Sequence, residues 1–113
     1  MPPVVVRLAG EYNFRNVYRR GRRLRGQFIS LSYIKVPASP TRVAVVVSRQ
    51  VSKLATKRNL YKRRLWSGIR EHQAQLPRQN YHLVITAQPK IKALTYQEIS
   101  DELGEFIKKL PQA

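Results

Sequence analysis

Seventeen Lys and Arg side chains stand against a single acid, Glu11, in residues 1–70, whereas residues 71–113 carry five of each sign. The whole formal net charge of +16 therefore sits in the first seventy residues. Self-repulsion of that size works against any compact state unless a polyanion supplies the counter-charge. Much of it gathers in Lys57, Arg58, Lys62, Arg63 and Arg64, inside a stretch whose apolar spacing is helical. That combination points to nucleic acid.

A chain of 113 residues is one domain by length. Folding at that size buries roughly two-thirds of the unfolded chain's surface, enough for one core. The 42% hydrophobic content supplies such a core despite the charge. With no cysteine, a disulfide framework and a thiolate metal site are both excluded. Residues 1–7 lack the basic and apolar regions of a signal peptide, and no apolar run approaches a membrane span. A cytoplasmic protein with no membrane partner is the expectation.

The periodicity predicts an order of elements. Phe14, Val17 and Tyr18 are spaced for a short amphipathic helix over 12–19, which Gly21 stops. Residues 19–25 read as a very basic connector with local mobility, closed by Gly26. Residues 27–36 alternate as a strand, with Phe28, Ser30, Ser32 and Ile34 on one face and Ile29, Leu31 and Tyr33 on the other. Residues 37–40 read as a turn, and the Val-rich run 42–48 as a strand covered on both faces, central in a sheet. From about 52 to 71 the period becomes helical, with Leu54, Tyr61, Leu65 and Ile69 on one side. Asn59, Arg63, Trp66 and Arg70 line the opposite side, with Lys62 on its flank. Residues 81–87 form a third strand. Thr95 and Glu98 then fit a capping box, followed by the stripe Ile99, Leu103, Phe106, Ile107 and Leu110. Two strands flanking a helix make a split sheet with helices against it, so the class is α+β.

Enzyme chemistry is poorly supplied. Before residue 98 the only carboxylates are Glu11 and Glu71, and the other four, Glu98, Asp101, Glu102 and Glu105, read as the exposed side of the last helix. His72 and His82 are the only histidines and fit ordinary surface or core roles. Cleavage of a phosphodiester by a protein ordinarily needs metal-binding carboxylates or an acid–base pair. Neither is present, nor is a phosphate-binding glycine loop. No catalytic residue and no protein metal site is expected.

Binding chemistry is better supplied. The basic helix offers Arg58, Lys62, Arg63 and Arg70 to a phosphate track, with Asn59 beside them; guanidinium forks suit phosphate. Acids are missing from that face, so i,i+4 ion pairing does not explain it. Phe14, Tyr18 and Phe28 either line a groove where single-stranded bases stack or belong to the core. Ser30 and Ser32 make one sheet face polar, as contact with a wet ligand requires. Trp66 is either a stacking platform or a partly buried anchor.

These residues resemble a known family. The run 55–63, with Arg58, Asn59, Lys62 and Arg63 after the strand end at Ser48 and Arg49, resembles the signature of the bacterial ribonuclease P protein subunit. Residues 14–21 look like that family's first helix and its glycine, Gln27 and Phe28 like the start of its first strand, 81–89 like its late strand, and 94–110 like its last helix. The resemblance covers roughly residues 10–110, in order and with matching spacings.

The resemblance implies a small basic protein that assembles with a large catalytic RNA. That RNA, with Mg2+, cleaves precursor tRNA to generate the mature 5′ end, and the protein binds the 5′ leader in a central cleft. It implies an α–β sandwich with a left-handed β-α-β crossover around the arginine-rich helix. Carried over, Arg58, Asn59, Lys62 and Arg63 contact the catalytic RNA, Phe14, Tyr18 and Phe28 occupy the cleft, and Ser48 and Arg49 lie at the strand end. Leu60 and Trp66 stand where the family's motif carries Arg; Arg64 and Arg70 are the nearest substitutes. The rival expectation is a structural RNA-binding protein of ribosomal type. A DNA-binding module ranks lower, because the basic helix follows no helix-turn-helix pattern, and a stand-alone nuclease ranks last.

Overall fold

The computed structural model describes residues 6–110. In chain order it contains β1 (Val6–Arg7), α1 (Glu11–Arg20), β2 (Arg22–Arg25), β3 (Ile29–Pro40), β4 (Arg42–Val46), α2 (Ala55–Glu71), β5 (Gln79–Ala87) and α3 (Tyr96–Lys108). Short 3-10 turns, Gln73–Gln75 and Pro89–Ala93, precede β5 and α3. The strands form one five-stranded sheet in the order β1-β4-β5-β3-β2.

Strand β5 is inserted between β3 and β4, antiparallel to the first and parallel to the second. The two strands consecutive in sequence are therefore split, and β4, α2 and β5 make a parallel crossover between neighbours. This is the expected α+β sandwich with one adjustment of rank. The most enclosed strand is β5, with Tyr81, Leu83, Val84, Ile85 and Ala87 all buried; β4 is interior only through the two residues of β1 beside it.

The alternation of side chains sorts the core into two layers. Ile29, Leu31, Val43, Leu83 and Ile85 meet Tyr61, Leu65 and Ile69 of α2 and Ile99, Leu103, Phe106 and Ile107 of α3. On the other face Ala44 and Val84 meet Val17 and Phe14 of α1, with Leu8. Helices α2 and α3 come close because their contact is small: Gly68 sits against Leu103 and Ser100. The Thr95 hydroxyl accepts from the Glu98 N–H, and the Glu98 carboxylate accepts from the Thr95 N–H at 3.0 Å, so the capping box is present as read.

Three local expectations are corrected and one is refined. Residues 22–25 are not a mobile connector but β2, because Leu24 turns inward onto the core and the chain hydrogen-bonds along β3. Residues 37–40 keep strand pairing as far as Pro40, across a bulge at which Ala38 takes φ +64°. The chain does reverse in this segment, because Ile34 and Arg42 both stand opposite His82, on either side of β5. Helix α2 starts at Ala55, which leaves Leu54 at its N-cap 60% exposed and off the apolar stripe. Glu102 is half-buried rather than exposed: desolvation raises its pKa, against the smaller opposing influence of the Phe28 backbone N–H.

Candidate RNA interface

Two cationic surfaces meet at the end of β4. The first is α2. Asn59, Lys62, Arg63 and Arg70 are exposed on it, and none of these cations has a carboxylate partner among the described residues. Arg58 and Arg64 are drawn in. Arg58 Nη1 donates to the carbonyls of Ser52 and Lys53, both at 3.0 Å, and so staples the loop that leads into the helix. The Arg64 guanidinium lies over the Tyr61 ring, 5.8 Å from its centroid.

The start of α2 is built against its own dipole. Its first turn has no acid and its N-cap no side-chain hydrogen bond, while Lys57 and Arg58 place positive charge there. Cations beside the positive end of a helix are unfavourable unless an anion joins them. Next to that end, Arg49 and Lys53 line a concavity of about 630 Å3 with Gln50. Ser48 shapes the loop, its Oγ accepting from the Gln50 N–H at 3.3 Å.

The second surface is the sheet face under α1. Directly paired residues point to the same side, so the register writes out its rows. Arg25, Ser30, Thr86 and Val46 form one row across β2, β3, β5 and β4. Arg23, Ser32, Val84 and Ala44 form the next. Helix α1 covers the second row through Val17, while Phe14 and, from the first row, Val46 pack against the same cluster of Val17, Ala44 and Val84. The result is a trough about 14 Å long over three strand spacings, with arginines at the β2 end and Ser48 and Arg49 just past the β4 end.

The aromatic and hydroxyl residues divide. Phe14 is half-buried in the α1 layer, and Tyr18, one turn on, is 44% exposed. Phe28 lies apart from that layer, at the mouth of β3, its carbonyl accepting from the Gln88 N–H at 2.8 Å. Ser30 and Ser32 lie on the expected face but are buried, at 5% and 4% exposure. Gln88 Nε2 donates to Ser30 Oγ at 2.6 Å, and Arg23 Nε to Ser32 Oγ at 3.4 Å. What a ligand meets over the serines is therefore Gln88 and the β2 arginines. Sequence reading had omitted Arg23, Arg25, Thr86 and Gln88. The alternation of Arg23 and Arg25 about the inward Leu24 was the available signal, hidden by the density of charge around it.

Acids collect at the far end. His72, Asp101, Glu102 and Glu105 line a concavity of about 480 Å3 between the C-terminus of α2 and α3. Among the described residues no group of three or more His, Asp or Glu is placed to hold a metal ion. No helix there is long and apolar enough to cross a membrane.

Comparison with known proteins agrees with this geometry. The sequence model of the family described as Ribonuclease P matches residues 3–111. The chain is 36% identical over 110 residues to a ribonuclease P protein component from Pseudanabaena, covering 96% of this chain and 94% of that one. It is 33% identical over 95 residues to the corresponding protein of Picosynechococcus, covering 84% and 81%. In fold it is similar to the RNase P protein from Thermotoga maritima, with a TM-score of 0.81 at 19% identity over 93% of this chain and 97% of that one. The Staphylococcus aureus RNase P protein superposes with a TM-score of 0.80 at 18% identity, covering 90% and 92%. With a match that runs almost end to end, the chain belongs to the ribonuclease P protein component family.

Proposed function

We propose that this chain, as the protein subunit of the endoribonuclease ribonuclease P, docks α2 on the catalytic RNA and takes the 5′ leader of precursor tRNA into the α1-side trough. The subunit role in tRNA processing follows from the family; the division of surfaces is the inference. The observation that carries it is the row Arg25, Ser30, Thr86 and Val46, flanked by Phe14 and continued by Arg49 toward the uncapped start of α2. A single strand lying across the sheet there has phosphate partners at both ends and aromatic rings between them. The surface of α2 is a different kind of site: exposed cations with little aromatic area, suited to the backbone of a folded RNA.

Chemistry in this reading belongs to the RNA and to Mg2+ held by it. Arg58, Asn59, Lys62, Arg63, Arg64 and Arg70 serve the RNA side, with Arg58 and Arg64 also bracing the fold. Phe14, Tyr18, Phe28, Ser48 and Arg49 serve the leader, joined by Arg23 and Arg25, while Ser30 and Ser32 support the floor. The expected compartment is the cytoplasm.

Reconstitution tests the reading. The protein, a ribonuclease P RNA and precursor tRNA are mixed at low Mg2+, and cleavage is expected only in the mixture. RNA binding without stimulation would instead mark a structural RNA-binding protein. Tyr18→Ala is expected to reduce discrimination between precursor and mature tRNA; equal weakening for both would remove the leader from the trough.

A further inference from the structure

Beyond Tyr33 the outer edge of β3 loses its partner strand. The register of β2 ends at Arg22 opposite Tyr33, whereas β3 runs on to Pro40. Helix α1 ends at the same step, and Arg20, Arg22 and Lys35, with Tyr33 and Tyr81, line a concavity of about 360 Å3. No acid lines it, and none of the three cations has a carboxylate partner among the described residues. Cations converging without counter-charge on a domain that is already strongly positive raise its internal repulsion. An external anion relieves that.

The pocket is held in shape by its backbone. A Cβ at Gly21 would collide with the carbonyls of Val17 and Tyr33, so only glycine lets α1 end against β3 here. Because the Tyr33 carbonyl faces Gly21, the two-residue alternation of the strand turns the Lys35 N–H to the same open side. The half-buried Tyr33 ring is backed by buried Tyr81, with centroids 6.3 Å apart and planes tilted by 58°. The site thus joins several cationic donors, a free backbone donor and a braced aromatic ring.

We propose that this concavity is a second RNA-contact site, which takes a phosphodiester on Arg20, Arg22 and Lys35 and the adjoining unpaired base against Tyr33. The proposal rests on the RNA-binding reading above and extends it to a segment outside the trough. Lys35 pairs with Tyr81, whereas Ser30 pairs with Thr86, five residues and about 17 Å farther along β3. Tyr33 and Lys35 also point to the opposite side of the sheet from Ser30. One short strand cannot occupy both places. An acidic peptide would use the cations and leave the ring idle, and a paired duplex hides its bases; a single strand uses every group.

The test is an amide-resolved NMR titration of the full chain with pentauridylate. Two sets of resonances are expected to move: Ser30 and Thr86 in the trough, and Gly21 and Lys35 at the concavity. In the double variant Arg22→Ala/Lys35→Ala, affinity read from the Gly21 resonance is expected to fall about tenfold, with Ser30 and Thr86 unaffected. Movement at Ser30 and Thr86 alone overturns the second site and leaves the trough intact. Movement at Gly21 and Lys35 alone upholds it and removes the leader from the trough. Unchanged affinity at Gly21 in the double variant, or no movement anywhere, also overturns it.

Discussion

The guanidinium of Arg7 stacks on the ring of Trp66, its central carbon 4.6 Å from the ring centroid. The contact ties the two-residue strand β1 to α2 and explains a residue that sequence reading left between two roles. Trp66 is half-buried against the α2–α3 core on one side and carries a cation on the other. It is an anchor that also returns positive charge to the face shared by Asn59, Arg63 and Arg70.

Arg7→Ala is therefore expected to remove about 0.5–1 kcal/mol of stability, the range for an exposed cation–π pair. Trp66 is the only tryptophan, so its emission reports the loss directly. Urea unfolding followed at Trp66 measures both quantities. An unchanged spectrum and midpoint would mean that the pair is not formed in solution.

Arg63 and Arg58 are expected to separate binding from folding. Arg63→Ala should weaken RNA binding by about 1 kcal/mol and reduce the slope of log affinity against log salt by about one, with thermal stability unchanged. Arg58→Ala should show the same binding loss plus about 1 kcal/mol of stability, because the Ser52 and Lys53 carbonyls lose their donor. Filter binding across a salt series, beside thermal melts, distinguishes the two.

Gly68 sets the distance between α2 and α3. A Cβ there would lie 2.6 Å from Leu103 Cδ1. Gly68→Val is expected to destabilise by about 1–3 kcal/mol through overpacking, and Gly68→Ala by less, since a single Cβ crowds chiefly the far end of the Leu103 side chain. Denaturant midpoints for the two variants check the order.

His82 makes stability depend on pH. Burial, with the Arg42 charge beside it, holds its imidazole below the ordinary 6.5. Its Nε2 shares a 3.1 Å hydrogen bond with Ser39 Oγ, and its Nδ1 is buried without a partner. As pH falls below 6.5 the unfolded chain takes up a proton that the folded one resists, so stability is lost in that window and regained above it. The melting temperature is expected to drop between pH 7 and pH 5.5. His82→Gln should flatten that part of the profile.

Local pattern alone determined much of this protein. The capping box of α3 and its apolar stripe, the alternation of Ile29 and Leu31 against Ser30 and Ser32, and the acid-free face of α2 all depend on neighbours within a few residues. Periodicity carries such information because a helix or strand imposes it on its own segment. Tertiary structure decided what depends on partners far along the chain. Strand β5 enters between β3 and β4, β2 lays Arg23 and Arg25 beside Ser32 and Ser30, Arg7 reaches Trp66, and Gly21 abuts Tyr33. Each of these is set by which register buries the most apolar surface across the whole sheet, a global quantity that no window of sequence contains. The chemistry of the RNA surface was legible in residue types; its rows and ends exist only because the strands are paired.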